Sequence, residues 1–259
     1  MPMLKVRGED FHIRIDGDER APVLLLSNSL GTNLSMWDPQ IPEWSKHFRV
    51  VRYDSRGHGL SPAPDKPYSI AMLADDALAI LDTLGIDKAH WCGLSKGGMV
   101  GQWLATHHGD RLGRVVLANT AARMGPPELW DGRIDTVRKH GMSVLVQPTL
   151  ERWFTPEFRD SAKETVAKVS EMLATTPPLG YANCCGAIRD MDQRETIRAV
   201  RNPVLVVIGA RDPATPPATG YEMADAIPGA QRIELAAAHL SNLEQPEAFG
   251  RAVTDFLKG

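Results

Sequence analysis

A series of short apolar runs, separated mostly by segments long enough to be helices, constrains this fold more than any other feature of the sequence. Pro22-Val23-Leu24-Leu25-Leu26 is the first. Runs of the same kind fall at 48–53, 89–92, 114–118 and 203–208, with a weaker one at 231–235. Continuous rather than alternating hydrophobicity marks a strand buried on both faces. Helices are predicted over 70–84, 99–107, 218–226 and 247–257. Strand and helix in alternation predict an α/β fold, a mostly parallel twisted sheet with helices on both faces. Phe11-His12-Ile13-Arg14-Ile15 alternates with period two instead, as a half-exposed strand does, and Asp16-Gly17-Asp18 is expected to supply a hairpin turn.

The rhythm breaks between residues 121 and 200. No buried-strand run occurs there, and helix-like pieces at 131–140, 143–147 and 161–174 are divided by Gly125-Pro126-Pro127, Gly141, Pro156 and Pro177-Pro178-Leu179-Gly180. This stretch is expected to be a helical lid inserted into a core made of residues 1–120 and 201–259. A lid at that place covers the C-terminal ends of the strands, where open α/β sheets bind ligands. Composition sets the remaining bounds. A net charge of −3 and the lack of a basic run argue against a nucleic-acid partner. No apolar run is long enough to span a bilayer, and the first ten residues lack a signal-peptide core, so the expected location is the cytoplasm. With three cysteines and no metal-ligand spacing, neither a metal nor another cofactor is expected. Oligomeric state is not legible.

Ser95 lies in Gly93-Leu94-Ser95-Lys96-Gly97, after a strand-like run and before a helix-like one. That context makes G-x-S-x-G the turn that presents a nucleophilic serine, with glycines where side chains would strike neighbouring elements. A serine needs an adjacent base, and the base needs a third group to fix its tautomer. Asp212 follows the run at 203–208 and His239 the run at 231–235, in the required order of serine, acid, histidine. The other seven histidines fall in strands, at helix ends, or, for His58, in a loop whose shape it is expected to hold by hydrogen bonds. An oxyanion hole needs two donors. The backbone N–H groups of Lys96, the residue after the nucleophile, and of Leu30, in the loop after the first run, are the candidates. The Lys96 side chain is expected to face solvent.

Together these segments resemble the α/β-hydrolase fold superfamily over nearly the whole chain. Ser27-Asn28-Ser29-Leu30-Gly31-Thr32 and Ala238-His239-Leu240-Ser241-Asn242 are narrower, and resemble the 3-oxoadipate enol-lactone hydrolases of aromatic catabolism by the β-ketoadipate pathway. Asn28-Ser29 stands where many superfamily members carry His-Gly, so a different polar pair is expected to line the hole. The resemblance implies a carboxylic-ester hydrolase that opens a small carboxylated enol-lactone through an acyl-enzyme on Ser95, without cofactor or metal. It implies a cationic partner for the substrate carboxylate; Arg133 is favoured over Arg138 and Arg152, with Trp130 and Trp153 as candidate apolar walls and Ser29 as a further substrate contact. Alternatives are a general carboxylesterase or perhydrolase, a carbon–carbon bond hydrolase of the same fold, and a non-catalytic ligand receptor.

Overall fold

The computed structural model describes residues 2–259. Its strands are β1 (Met3–Val6), β2 (Glu9–Asp16), β3 (Val23–Ser27), β4 (Arg49–Tyr53), β5 (Ala89–Leu94), β6 (Leu112–Ala118), β7 (Val204–Gly209) and β8 (Gln231–Leu235). They form one sheet in the order β1-β2-β4-β3-β5-β6-β7-β8. From β4 to β8 neighbours run parallel; β1 and β2 add to one edge antiparallel. The helices are α1 (Ile41–Trp44), α2 (Ile70–Thr83), α3 (Lys96–His107), α4 (Pro127–His140), α5 (Ser143–Trp153), α6 (Pro156–Ser161), α7 (Lys163–Thr175), α8 (Pro178–Asp190), α9 (Pro217–Ala226), α10 (Ser241–Glu244) and α11 (Pro246–Lys258). Among the described residues no helix is long and apolar enough to cross a membrane.

The continuous apolar runs occupy the sheet interior for the reason their pattern implies. Leu24, Leu25 and Leu26 of β3 are wholly buried between β4 and β5, and every residue of β7 is buried. Each such leucine contributes about 1.5–3 kcal/mol by leaving water. The weak run at 231–235 is the edge strand β8, paired on one side only, with Gln231, Arg232 and Glu234 exposed.

Three expectations are corrected. Asp16-Gly17-Asp18 does not make a hairpin between neighbours, because β4 lies between β2 and β3. The three leucines of β3 need strands on both sides, whereas β2 carries exposed Arg14 and Ile15 and belongs toward the edge. Gly17 (φ +93°) instead packs on the approach to β4, where a Cβ would come within 2.2 Å of the Phe48 carbonyl. The hairpin joins β1 and β2 through Arg7 and Gly8, both at positive φ. Strand β2 is also less two-sided than its alternation suggests: His12 is buried between Phe11 and Ile13 because its Nδ1 sits 2.7 Å from Asp54. Lastly, Pro178 does not break a helix but begins α8, occupying the first-turn position where a missing N–H does no harm.

Helices α4 to α8 all fall between β6 and β7, and α4 packs along α8. The chain is tied back to the core at several places. Gly180 of α8 rests backbone to backbone on Gly57, where a Cβ on either residue would collide. Beyond α5, Thr155 N–H donates to Glu244 Oε1 (2.9 Å), and Leu240 N–H donates to the Trp153 carbonyl (3.2 Å).

Candidate active site

Ser95 sits between β5 and α3 at φ 56° and ψ −115°, a backbone conformation that non-glycine residues rarely adopt. The turn is held from below: Ser95 N–H donates to the Ala118 carbonyl (2.9 Å), and Thr120 Oγ1 donates to the Ser95 carbonyl (2.8 Å). Glycine is required on both sides. A Cβ on Gly93 would lie 2.1 Å from the Gly97 carbonyl oxygen, and one on Gly97 would lie 2.1 Å from that of Ser27 in β3.

Asp212 and His239 follow the C-terminal ends of β7 and β8, and His239 Nδ1 lies 2.8 Å from Asp212 Oδ2. A carboxylate can only accept, so Nδ1 carries the proton and Nε2 is left as the acceptor. Asp212 Oδ2 also accepts from Thr215 Oγ1 (2.6 Å) and Asn119 Nδ2 (3.0 Å), and Oδ1 accepts from the N–H groups of Ala214 (2.8 Å) and Thr215 (2.9 Å). Burial pushes the Asp212 carboxyl up, but the facing His239 and these hydrogen bonds outweigh it and hold the pKa below its ordinary value. Neither Ser95 Oγ nor His239 Nε2 bonds to another group among the described residues, including each other; both residues line one cavity of about 440 Å³. Such bonds are often long in a ligand-free site and tighten with substrate.

Two backbone donors stand beside Ser95. Gly31 N–H donates to His58 Nε2, Ser29 N–H to Met36 Sδ, and Gly97 N–H to the Asn28 carbonyl. Between these engaged neighbours, the Leu30 and Lys96 N–H groups have no acceptor among the described residues. They are the free amides of two converging turns, and Lys96 stands at the N-terminus of α3, where negative charge is favoured.

Ser29, Leu30, Trp130, Arg133, Arg152 and Trp153 all line the cavity. Trp153 lies against the imidazole of His239, ring centres 6.0 Å apart, and the Arg133 guanidinium sits 5.0 Å over the Trp130 ring. Neither Arg133 nor Arg152 has a carboxylate within ion-pair distance among the described residues; Arg152 reaches only Thr149 Oγ1, at 3.3 Å. Burial, and then the positive charge of Arg133, lower the Arg152 pKa. Ser29 Oγ is buried with no hydrogen-bond partner among the described residues. A pair of unneutralised arginines, a spare hydroxyl and two indoles give this cavity the chemistry of a site for a small anion with an apolar body.

Several sequence expectations differ here. The Lys96 side chain does not face solvent: it is wholly buried, with Nζ donating to Ser55 Oγ at 2.7 Å, because the helix start turns it under the Asp54–Ser61 loop. Asn28 does not line the hole with Ser29. Its side chain donates to the Tyr53 carbonyl and accepts from Trp37 Nε1, both at 3.0 Å. Arg138 is spent on Asp65 and Asn183 outside the cavity. The sequence reading also gave no role to three contributors. Asn119, at φ 44° directly after β6, bridges Asp212, the Ala238 carbonyl and Ser241. Thr215 lies three residues after Asp212, and Glu244 takes the Ala238 N–H beside His239. An asparagine at a strand's C-terminal end was the one available signal.

The model of the alpha/beta hydrolase fold family matches residues 22–246. The 3-oxoadipate enol-lactonase 2 of Acinetobacter baylyi is 44% identical over 242 residues, which cover 93% of this chain and 91% of that protein. The crystal structure of the enol-lactonase from Burkholderia xenovorans LB400 superposes with a TM-score of 0.98 at 47% identity, covering 100% of both chains. A hydrolase from Pseudomonas aeruginosa PA01 superposes with a TM-score of 0.97 at 44% identity, over 100% of this chain and 98% of that one. The chain is therefore a member of the α/β-hydrolase fold family.

Proposed function

We propose that this protein hydrolyses 3-oxoadipate enol-lactone to 3-oxoadipate, with Ser95 as nucleophile, His239 as base and Asp212 as its orienting partner. The observation that carries the substrate is the meeting, in one cavity, of Ser95 and His239 with two arginines that have no carboxylate in ion-pair range among the described residues. A neutral ester gives those arginines nothing to neutralise; the acetate arm of the lactone does. Likeness to the enol-lactonases supports the same substrate.

Ser95 Oγ attacks the ring carbonyl as its proton passes to His239 Nε2, and Asp212 stabilises the imidazolium. The developing oxyanion is taken by the Leu30 and Lys96 N–H groups. The ring C–O bond then breaks and His239 returns the proton to the departing enol oxygen; the enol becomes the ketone. A water molecule, deprotonated by His239, cleaves the acyl-enzyme and restores Ser95. Arg133 and Arg152 hold the carboxylate, Trp130 and Trp153 flank the ring, and Ser29 Oγ is a donor to it. In this reading residues 121–200 are a lid over a core of residues 1–120 and 201–259. No step calls for a metal or cofactor.

The test is turnover of the lactone beside p-nitrophenyl butyrate. With charge-assisted bonds contributing about 1.5–3 kcal/mol, the lactone should be favoured in kcat/KM by about tenfold or more. Equal or poorer use of the lactone would overturn the assignment of substrate while leaving an esterase.

A further inference from the structure

We propose that the loop of residues 54–61 is a brace that aligns both donors of the oxyanion hole, His58 acting on the Leu30 side and Ser55, through the Lys96 side chain, on the other. This rests on the roles proposed above for the Leu30 and Lys96 N–H groups.

The two donors come from turns remote in sequence, yet each is tied to the same loop. His58 is wholly buried. Its Nε2 accepts the Gly31 N–H at 2.8 Å, and its Nδ1 lies 3.2 Å from the Arg56 carbonyl. Nε2 can accept only if it is bare, so Nδ1–H donates to Arg56 and the ring is neutral. Burial, with the nearby Lys96 charge adding to it, keeps the His58 pKa well below its ordinary value, so this arrangement persists across the neutral range. The Gly31 N–H belongs to the peptide unit that follows Leu30. Fixing it restricts rotation about the Leu30 Cα–C bond. The preceding unit, which carries the Leu30 N–H, is held by Thr32 N–H (3.3 Å) and Oγ1 (3.0 Å) on the Ser29 carbonyl, so His58 closes the turn that aims this donor on its second side. Gly31 (φ +80°) is gripped from the other side as well, its carbonyl accepting from Thr176 Oγ1 at 3.2 Å.

On the opposite side, Lys96 is anchored at its side-chain end. Its N–H opens onto the hole, and its amine is buried on Ser55 Oγ, with no carboxylate in ion-pair range among the described residues. Burying an amine without a counter-ion is unfavourable, and an apolar side chain would fill the same space more stably. A tether for the turn that carries the donor is the physical gain this arrangement supplies.

A brace must itself be rigid. The Asp54 carboxylate accepts from Leu34 N–H (2.8 Å) and Leu60 N–H (2.9 Å) and meets His12 Nδ1 (2.7 Å). Arg56 is gripped by Asp76 and Glu9, Cys184 Sγ donates to the Arg56 carbonyl, and Gly57 abuts Gly180. The loop is thus locked to β2, α2 and α8 at once, and errors in its position pass directly to the two donors. Small displacements of such donors matter because their stabilisation depends on aim.

The experiment compares His58→Leu, His58→Gln and Ser55→Ala with wild type. It uses p-nitrophenyl acetate, so that it does not depend on the lactone assignment. Three quantities are read: kcat and KM, the affinity for phenylboronic acid, whose tetrahedral adduct on Ser95 occupies the hole, and the melting temperature. Loss of one donor's alignment should lower kcat of His58→Leu by about 10–100-fold with KM nearly constant, and weaken the boronate by a similar factor. In His58→Gln the amide oxygen replaces Nε2 as acceptor, and activity should recover to within about fivefold of wild type. Ser55→Ala should weaken catalysis and boronate together by about three- to tenfold. A folded His58→Leu with boronate affinity equal to wild type overturns the brace, as does equal loss in the Leu and Gln variants. Should His58→Leu fail to fold, unchanged boronate affinity in Ser55→Ala overturns it instead. A wild-type protein that neither cleaves the ester nor binds the boronate refutes the Ser95 reading itself.

Discussion

Replacing Asp212 by asparagine isolates the contribution of one carboxylate oxygen, and the structure fixes which way the new amide turns. With its NH₂ at the Oδ1 position it would face two backbone donors, Ala214 and Thr215 N–H, neither of which can move. With its NH₂ at the Oδ2 position it faces Asn119 Nδ2, the Thr215 hydroxyl and His239 Nδ1. The hydroxyl can rotate to accept and the imidazole can change tautomer, so only Asn119 is left opposed. Its own oxygen already accepts from Ser241, which prevents a flip. The second orientation leaves one fixed donor unmet rather than two, at about 1–3 kcal/mol each. It therefore wins, and it moves the imidazole proton to Nε2, where it cannot accept from Ser95. The expected result is a fall in kcat of about 10⁴-fold, or about 5.4 kcal/mol of transition-state stabilisation, with KM little changed. Stopped-flow or steady-state ester hydrolysis with a melting curve on the same sample measures both parts. A loss under tenfold would refute the tautomer argument.

Arg133→Ala and Arg152→Ala should each raise KM for the lactone about tenfold and leave a neutral ester unaffected; parallel changes on both substrates would remove the arginines from carboxylate binding. Gly97→Ala should destabilise by about 3 kcal/mol or more, since the new Cβ has the backbone of Ser27 2.1 Å away and that strand cannot retreat; a wild-type melting temperature would contradict this. Lys96 has its pKa lowered by burial, Cys184 and Asp76 opposing the shift. A lysine depressed in the folded state sheds its proton there first, so stability rises with pH between the lowered value and about 10.4, the unfolded one. Denaturant titrations from pH 7 to 10.5 should show wild type gaining on Lys96→Met across that window; a constant difference would mean the amine titrates normally.

The central strands could be read directly because burial on both faces writes itself into sequence as unbroken Val, Leu and Ile. β1 could not, because a four-residue edge strand with only Val6 buried is too short to show a pattern, and β8 was faint because an edge strand leaves Gln231, Arg232 and Glu234 exposed. Helix α8 was hidden because proline looks alike whether it ends a helix or begins one. Ser95, Asp212 and His239 were visible since each stands at a strand's end in a fixed order. Asn119, Thr215 and Glu244 were obscure because their value lies in partners that only the folded chain brings near: Asn119 meets an aspartate 93 residues away. The Lys96 side chain misled for a related reason. Lysine is nearly always solvated, and nothing near it in sequence announces a hydroxyl 41 residues upstream.

The helical segment above the cavity is stitched down unevenly. Its α5 end is fastened to the His239 loop through Trp153 and Thr155, and α8 is pinned on Gly57. By contrast, residues 125–129 make no hydrogen bond to the sheet among the described residues, and Leu129, 68% exposed, still borders the cavity. The least fastened border of the cavity is thus the amino end of α4. Selection or engineering for bulkier reactants has its freedom at that threshold, while the seams at Gly57 and Glu244 hold the chemistry in register.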